Sequence, residues 1–244
     1  MSYYDWLSTT DIHDAFSAEI QAAGGTVLDA FDDGCRLFAR STLPRLEEVR
    51  PHDKLQGGVA LRATETEVWV HPYVYRLVCR NGAIAAHALE SRCIKADDVP
   101  NPEDAIEEIR ETVRACSADD VFMVQAGKIR AASSMDVTDA MLNMMAVLAH
   151  LPPRARDQIM QSVLDQYASA GDSTHFGLMN AVTATARDTR DPDLRWRLEE
   201  LGGSIPALRP PKSPRGNASL EMQEELLLEC VGSSTESGRR LIAS

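Results

Sequence analysis

The chain has 244 residues, 37 acidic and 25 basic side chains and a net charge of −12, with 44% apolar and 25% charged residues. That length supports a hydrophobic core without disulfide or metal staples, and the composition excludes a disordered or fibrous chain. The acidity excludes a protein coated with nucleic acid over its whole surface.

Met1 to Trp6 lack a basic stretch followed by an apolar one, and no run reaches about 18 apolar residues, so a cytoplasmic chain without a membrane span is expected. The five cysteines, Cys35, Cys79, Cys93, Cys116 and Cys230, are odd in number and scattered, which points to reduced thiols. Charge is uneven along the chain. Residues 1–34 carry seven acids and no Lys or Arg, whereas 35–80 sum to +3, the only positive segment.

Ser8, Thr9, Thr10 and Asp11 supply capping residues, Ile12, Phe16 and Ile20 recur every four residues, and Gly24-Gly25 can end the turn, which predicts a first helix. Thr26 to Phe31, the pair Asp33-Gly34 and Cys35 to Arg40 read as a hairpin. A strand is expected over 57–62. A long one follows over 67–80, and Pro72 within it suggests a bulge or an edge. Asn81-Gly82 has the chemistry of a two-residue hairpin turn into 83–89.

The remainder reads as helical. Asn101-Pro102-Glu103-Asp104 opens one helix, and others are expected around 136–149, 154–169, 174–188 and from Asp191-Pro192 to Gly202-Gly203. Methionines 135, 141, 144, 145 and 160 read as core packing. Residues 204–219, with four prolines, form a linker or arm before a short helix over 220–230 and a polar tail. The whole reads as an α+β protein: an N-terminal antiparallel sheet with its first helix (1–99) packed against a C-terminal helical layer (100–203) in one continuous domain, then the 204–244 arm with its short helix and tail.

On the long strand Trp69, His71, Tyr73, Tyr75, Leu77 and Cys79 alternate with Val68, Val70, Val74, Arg76, Val78 and Arg80, and on the return strand of the first hairpin Arg36, Phe38 and Arg40 share a face. Basic residues interleaved with an aromatic are what a single-stranded nucleic-acid binder uses, since bases stack on rings and arginines track phosphates. Arg36, Phe38, Arg40, Arg62, Arg76 and Arg80 are therefore the candidate contacts. The competing reading makes the aromatic face core and the arginine face solvated.

No catalytic constellation emerges. His71 lies about 26 Å from Cys79 along an extended strand, and the Asn81-Gly82 turn would pair Cys79 with Ile84 and put His87 opposite Arg76, so no thiol–imidazole dyad forms. His71, Cys79, His87 and Cys93 lack zinc-type spacing, and His150 and His175 stand apart. Phosphate-binding glycine loops are absent from the sequence, and no motif supports a carboxylate–metal nuclease. No metal and no cofactor are expected. On the helix from Thr174, Asn180, Thr183 and Arg187 form a polar stripe that could meet a ligand or bond the sheet's loops.

The stretches 56–62 and 70–84, with Arg76, Val78, Cys79, Asn81 and Gly82, and 176–183, with Asn180, Ala181 and Thr183, together resemble the phage- and plasmid-like proteins grouped as domain of unknown function 932. In that family an Arg-x-Val-Cys-x-Asn core at a hairpin is followed by an Asn-Ala-x-Thr helix, and the resemblance spans roughly residues 25–205. It implies a product of a mobile element without an established activity, and more loosely a likeness to single-strand annealing proteins that assemble into rings. The expected function is a non-enzymatic, DNA-binding accessory protein with single-stranded DNA as partner and self-association open. The alternative is a structural or protein-interaction module whose sheet arginines pair with the chain's own carboxylates; a hydrolase is third.

Overall fold

The structure is a computed structural model that describes residues 7–207 except 136, 138–140, 143, 146–147, 150 and 152. The arm and helix expected beyond 207 lie outside the described residues, as does part of the helix expected over 136–149.

Helix α1 (Thr9–Ala22) is capped by Ser8, whose hydroxyl accepts from the Asp11 amide, and buries Ile12, Phe16 and Ile20. Seven antiparallel strands follow: β1 (Thr26–Asp32), β2 (Leu37–Thr42), β3 (Leu46–Arg50), β4 (Asp53–Ala63), β5 (Glu67–Arg76), β6 (Asn81–Ile84) and β7 (Arg92–Lys95). The main path runs β1-β2-β4-β5-β6; β3 continues beside β2 along β4, and β7 continues beside β6 along β5. The helices are α2 (Pro102–Cys116), α3 (Asp119–Ala132), α4 (Pro153–Ala170), α5 (His175–Asp188) and α6 (Pro192–Ser204). Asn101, Thr174 and Asp191 cap α2, α5 and α6, each accepting from a backbone amide of the first turn. The α+β architecture expected from the sequence is the one observed.

Pro72 sits in neither a bulge nor an edge. β4 and β5 pair without a register shift, Val59 opposite Pro72. The Pro72 carbonyl accepts from the Ala85 amide on the β6 side, and a strand residue's N–H points the same way as its C=O. The missing donor therefore falls where the neighbouring row changes from β7, which pairs with 67–70, to β6, which pairs with 73–76.

The second hairpin also departs from expectation. The turn is Leu77–Arg80, with Arg76 opposite Asn81 and Tyr73 opposite Ile84. Arg80 takes the left-handed conformation at φ 52°. Asn81 and Gly82 lie inside β6 because tertiary packing overrides their turn chemistry. A Cβ on Gly82 would collide with the Tyr73 ring and hydroxyl, and the Asn81 side chain is buried and bonded to α5. Gly203 likewise serves close approach rather than a helix stop, since α6 runs through it and a Cβ there would strike the Ile84 backbone.

Both sheet faces are covered. α1 and α2 pack Phe16, Ile20, Ile109 and Val113 on Leu37, Leu61, Val68 and Val70. On the opposite face α6 sets Trp196 against Phe38, Ala60, Tyr73 and Ile84. A third cluster joins α3, α4, α5 and the end of α6 to Val49, Leu55 and Val74.

Candidate nucleic-acid interface

The register separates the six expected contact residues. Phe38 pairs with Arg62 and Arg62 with Trp69, so Arg36, Phe38, Arg40 and Arg62 share the face of Trp69, His71 and Tyr73. Arg76 stands opposite Leu55 on the other face. The expected single arginine row is thus divided between two faces, and the aromatic face and the Arg36–Arg40 face are one and the same.

Neither Phe38 nor Arg40 reaches solvent; they are 0% and 2% exposed beneath α6. The Arg40 Nε donates to Glu199 Oε2 at 2.6 Å and its Nη1 to Asp29 Oδ1 at 3.2 Å. Arg195 closes the ring, donating to Glu199 Oε1 at 3.1 Å and Asp29 Oδ2 at 2.9 Å. Two guanidinium groups and two carboxylates make a balanced cluster with no cation left over for a phosphate. Burial pushes the Glu199 carboxyl up against the pull of both arginines, and burial raises the Tyr73 phenol beside them.

The outer arginines are neutralised as well. Arg36 donates to Asp33 at 2.7 Å and to Asp193 at 2.6 Å, and Arg62 donates to the other Asp193 oxygen at 3.0 Å. Arg62 also lies 5.7 Å from the centre of the Phe38 ring, occupying the face on which a base was expected to stack. On the far side Arg76 is bidentate on Asp53, at 2.8 and 2.5 Å, and its Nη1 meets the Cys79 sulfur at 3.0 Å. Arg80 alone of the six is exposed, on the tip of the Leu77–Arg80 turn with exposed Leu77 and Val78.

The second set of residues singled out, Arg76, Cys79, Asn81, Gly82, Asn180, Thr183 and Arg187, is brought together. The Asn81 amide donates to Thr183 Oγ1 at 2.6 Å and to the Asn180 carbonyl at 3.3 Å, while Arg187 Nη1 donates to the Cys79 carbonyl at 2.6 Å. These bonds clasp the β5–β6 hairpin onto α5. The polar stripe of α5 is used internally in bonding the hairpin.

No family model matches the chain, and no match is found among the curated proteins or the solved structures.

Beside the charge ring, His71 is 3% exposed and has no hydrogen bond on either nitrogen; its ring centre lies 6.1 Å from Trp69 and 5.8 Å from Trp196. Burial pulls its pKa down to about 3. Glu200, 3.9 Å away, is pushed up to about 7 by burial. That separation exceeds hydrogen-bond reach, and α6 covers the imidazole. Burial lifts the Cys93 and Cys116 thiols to about 12, far from nucleophilic character. Among the described residues no cluster of His, Cys, Asp and Glu could hold a metal ion, and no helix is long and apolar enough to cross a membrane.

The residues that carry this interface but escaped the sequence reading are Asp193, Trp196, Glu199 and Glu200. A signal was present: positions 193, 196 and 200 follow an i, i+3, i+7 spacing that puts acids and a tryptophan on one face of a helix. Acids on a helix and arginines on a strand at that spacing are complementary.

Proposed function

We propose that the chain is a non-catalytic protein-interaction module that offers β1, the sheet edge left unpaired among the described residues, to an extended basic segment. The observation that carries this reading is the capping of Arg36, Arg40, Arg62 and Arg76 by the chain's own carboxylates. Arg40 and Arg76 are held structurally, since removing them to a phosphate would strand the buried Glu199 and Asp53. Apart from Arg80, the β1 end of the sheet offers a partner acidic side chains. β1 ends the sheet, and residues 1–34 hold no Lys or Arg.

A second reading keeps single-stranded DNA as partner and moves the contact to the hairpin tip. Arg80 supports it, together with the resemblance of the hairpin core to a mobile-element family. Titrating labelled single-stranded DNA by anisotropy at low and moderate salt decides between the two. No binding at micromolar protein is expected. A complex that weakens steeply with salt overturns the interaction-module reading, because phosphate contacts release counterions.

A further inference from the structure

Helix α3 uses one face inside the chain and leaves the other uncovered by any described residue. Phe122, Ala126 and Ile129 are buried in the core. Asp120, Met123, Val124, Gly127 and Ala131 are exposed, and at the helical period they fall on one stripe opposite the core. Met123 is 49% and Val124 54% exposed. A helix face that is apolar over two turns and bounded by charge suits a second helix laid across it.

Gly127 points to a close approach from outside. Glycine weakens a helix interior relative to alanine, and its use there is to admit a near neighbour or an unusual backbone angle. At Gly57, Gly82 and Gly203 the neighbour belongs to the chain, since a Cβ would strike Phe122, Tyr73 or the Ile84 backbone. At Gly127 a Cβ would meet nothing within 4 Å, and the residue lacks the positive φ that Gly34 and Gly171 adopt. Among the described glycines it is the one with neither reason, so the space above it is open to another molecule.

We propose that α3 packs antiparallel on α3 of a second copy of the chain, across a twofold axis at Val124. Charge selects this occupant. Asp120 lies four residues before Val124; it accepts from the Val121 amide and pairs with no cation among the described residues. Lys128 lies four residues after Val124 and donates to the Gln125 amide oxygen at 3.4 Å, not to a carboxylate. Residues 120, 124 and 128 thus form one i, i+4 row, and such rows of two helices run parallel when the axes cross at about 50°. A twofold axis at Val124 then lays Asp120 on the partner subunit's Lys128, and does so twice. It also drops Met123 between Gly127 and Ala131 of the partner subunit. A parallel pair would instead set acid on acid and lysine on lysine. The flanking charges are already taken, Asp119 by Arg45 and Arg130 by Glu47, and neither drive nor oppose the pairing. One helix face lies at the small end of specific interfaces, so the dissociation constant is expected on the order of 100 µM. The inference goes beyond the interaction-module reading and uses no residue of β1.

Sedimentation velocity on the full chain, at concentrations bracketing that constant, is expected to show a monomer–dimer equilibrium. Gly127→Gln fills the notch without touching the chain's own atoms and is expected to weaken dimerisation on the order of tenfold or more, with an unchanged urea midpoint. Asp120→Lys and Lys128→Glu each weaken self-association, because each sets like charges together at both ends of the pair. Mixed with one another, these two variants are expected to dimerise again, since both ion pairs are then complete; this readout stands whether or not Gly127→Gln folds. A chain that stays monomeric at every concentration overturns the proposal. So does a dimer that Gly127→Gln leaves unchanged, or a mixture of the two charge variants no more dimeric than either alone.

Discussion

On one face of the sheet Phe16 and Ile20 of α1 meet Leu37, Leu61 and Val70 in an aliphatic contact; on the other, α6 meets the sheet through Trp196 and the ring of Arg40, Glu199, Arg195 and Asp29. The aliphatic contact is non-directional and scales with area, so any side chains of similar volume serve. The charged contact tolerates no unilateral change, because each buried ion is compensated only by its partner.

The largest effects come from breaking each face at its centre. Phe16→Ala and Glu199→Ala are each expected to cost about 3–5 kcal/mol in urea unfolding, the first by cavity formation and the second by stranding Arg40 and Arg195. The difference lies in rescue. Adding Arg40→Met to Glu199→Ala recovers part of the loss, because it removes the uncompensated ion, whereas no charge change recovers Phe16→Ala. A Glu199→Ala that costs nothing breaks the comparison.

The pH response separates the faces next. The folded pKa of His71, about 3, lies below its ordinary 6.5, so its contribution is complete above about 6.5 and is lost as pH falls toward 3. Glu200 runs the other way: raised from 4.5 to about 7, its contribution is complete below about 4.5 and lost as pH rises through 7. The two windows overlap between about 4.5 and 6.5, where opposite slopes of at most about 1.4 kcal/mol per pH unit offset each other and the parent's stability is nearly flat. His71→Leu leaves the Glu200 fall with rising pH between about 4.5 and 7, and Glu200→Gln leaves the His71 rise up to about 6.5. Phe16→Leu shifts the whole curve without changing its shape. Urea midpoints from pH 4 to 9, marked at about unit steps, read all three.

The clasp between hairpin and α5 is smaller. Asn81→Ala removes the bond to Thr183 and leaves that hydroxyl with its bonds to the α5 carbonyls, costing about 1–3 kcal/mol. An Asn81→Ala variant as stable as the parent would show the bond to be incidental.

The aliphatic face was the legible one. Ile12, Phe16 and Ile20 announce α1 by spacing alone, and Ser8, Asn101 and Asp191 announce helix starts by cap chemistry, because both signals are local. The charged face was hidden because its partners lie far apart in sequence: Arg40 and Glu199 meet across 159 residues. Strand parity set Arg36, Phe38 and Arg40 on one face without revealing that a helix covers it. Asn81-Gly82 misled for the same reason, since its turn chemistry is local while Tyr73, Thr183 and the buried Asn81 side chain are not. The short strands β3 and β7, at five and four residues, carry too little alternation to be seen.

The smallest effect is also the most direct on function. Asp193 holds both Arg36 and Arg62 and is itself about 30% exposed, so Asp193→Ala should cost only about 1 kcal/mol. It frees the Arg62 guanidinium and leaves Arg36 with Asp33 alone, at the margin of the α6 face, without uncovering Phe38 or Arg40. If capping is what keeps this sheet from phosphates, the variant gains weak single-stranded DNA binding at low salt that vanishes by moderate salt, while the parent shows none. Should neither protein bind, the acidic charge of the chain rather than the local caps decides against nucleic acid; should both bind equally, the contact lies at Arg80 and the capped arginines are irrelevant to it.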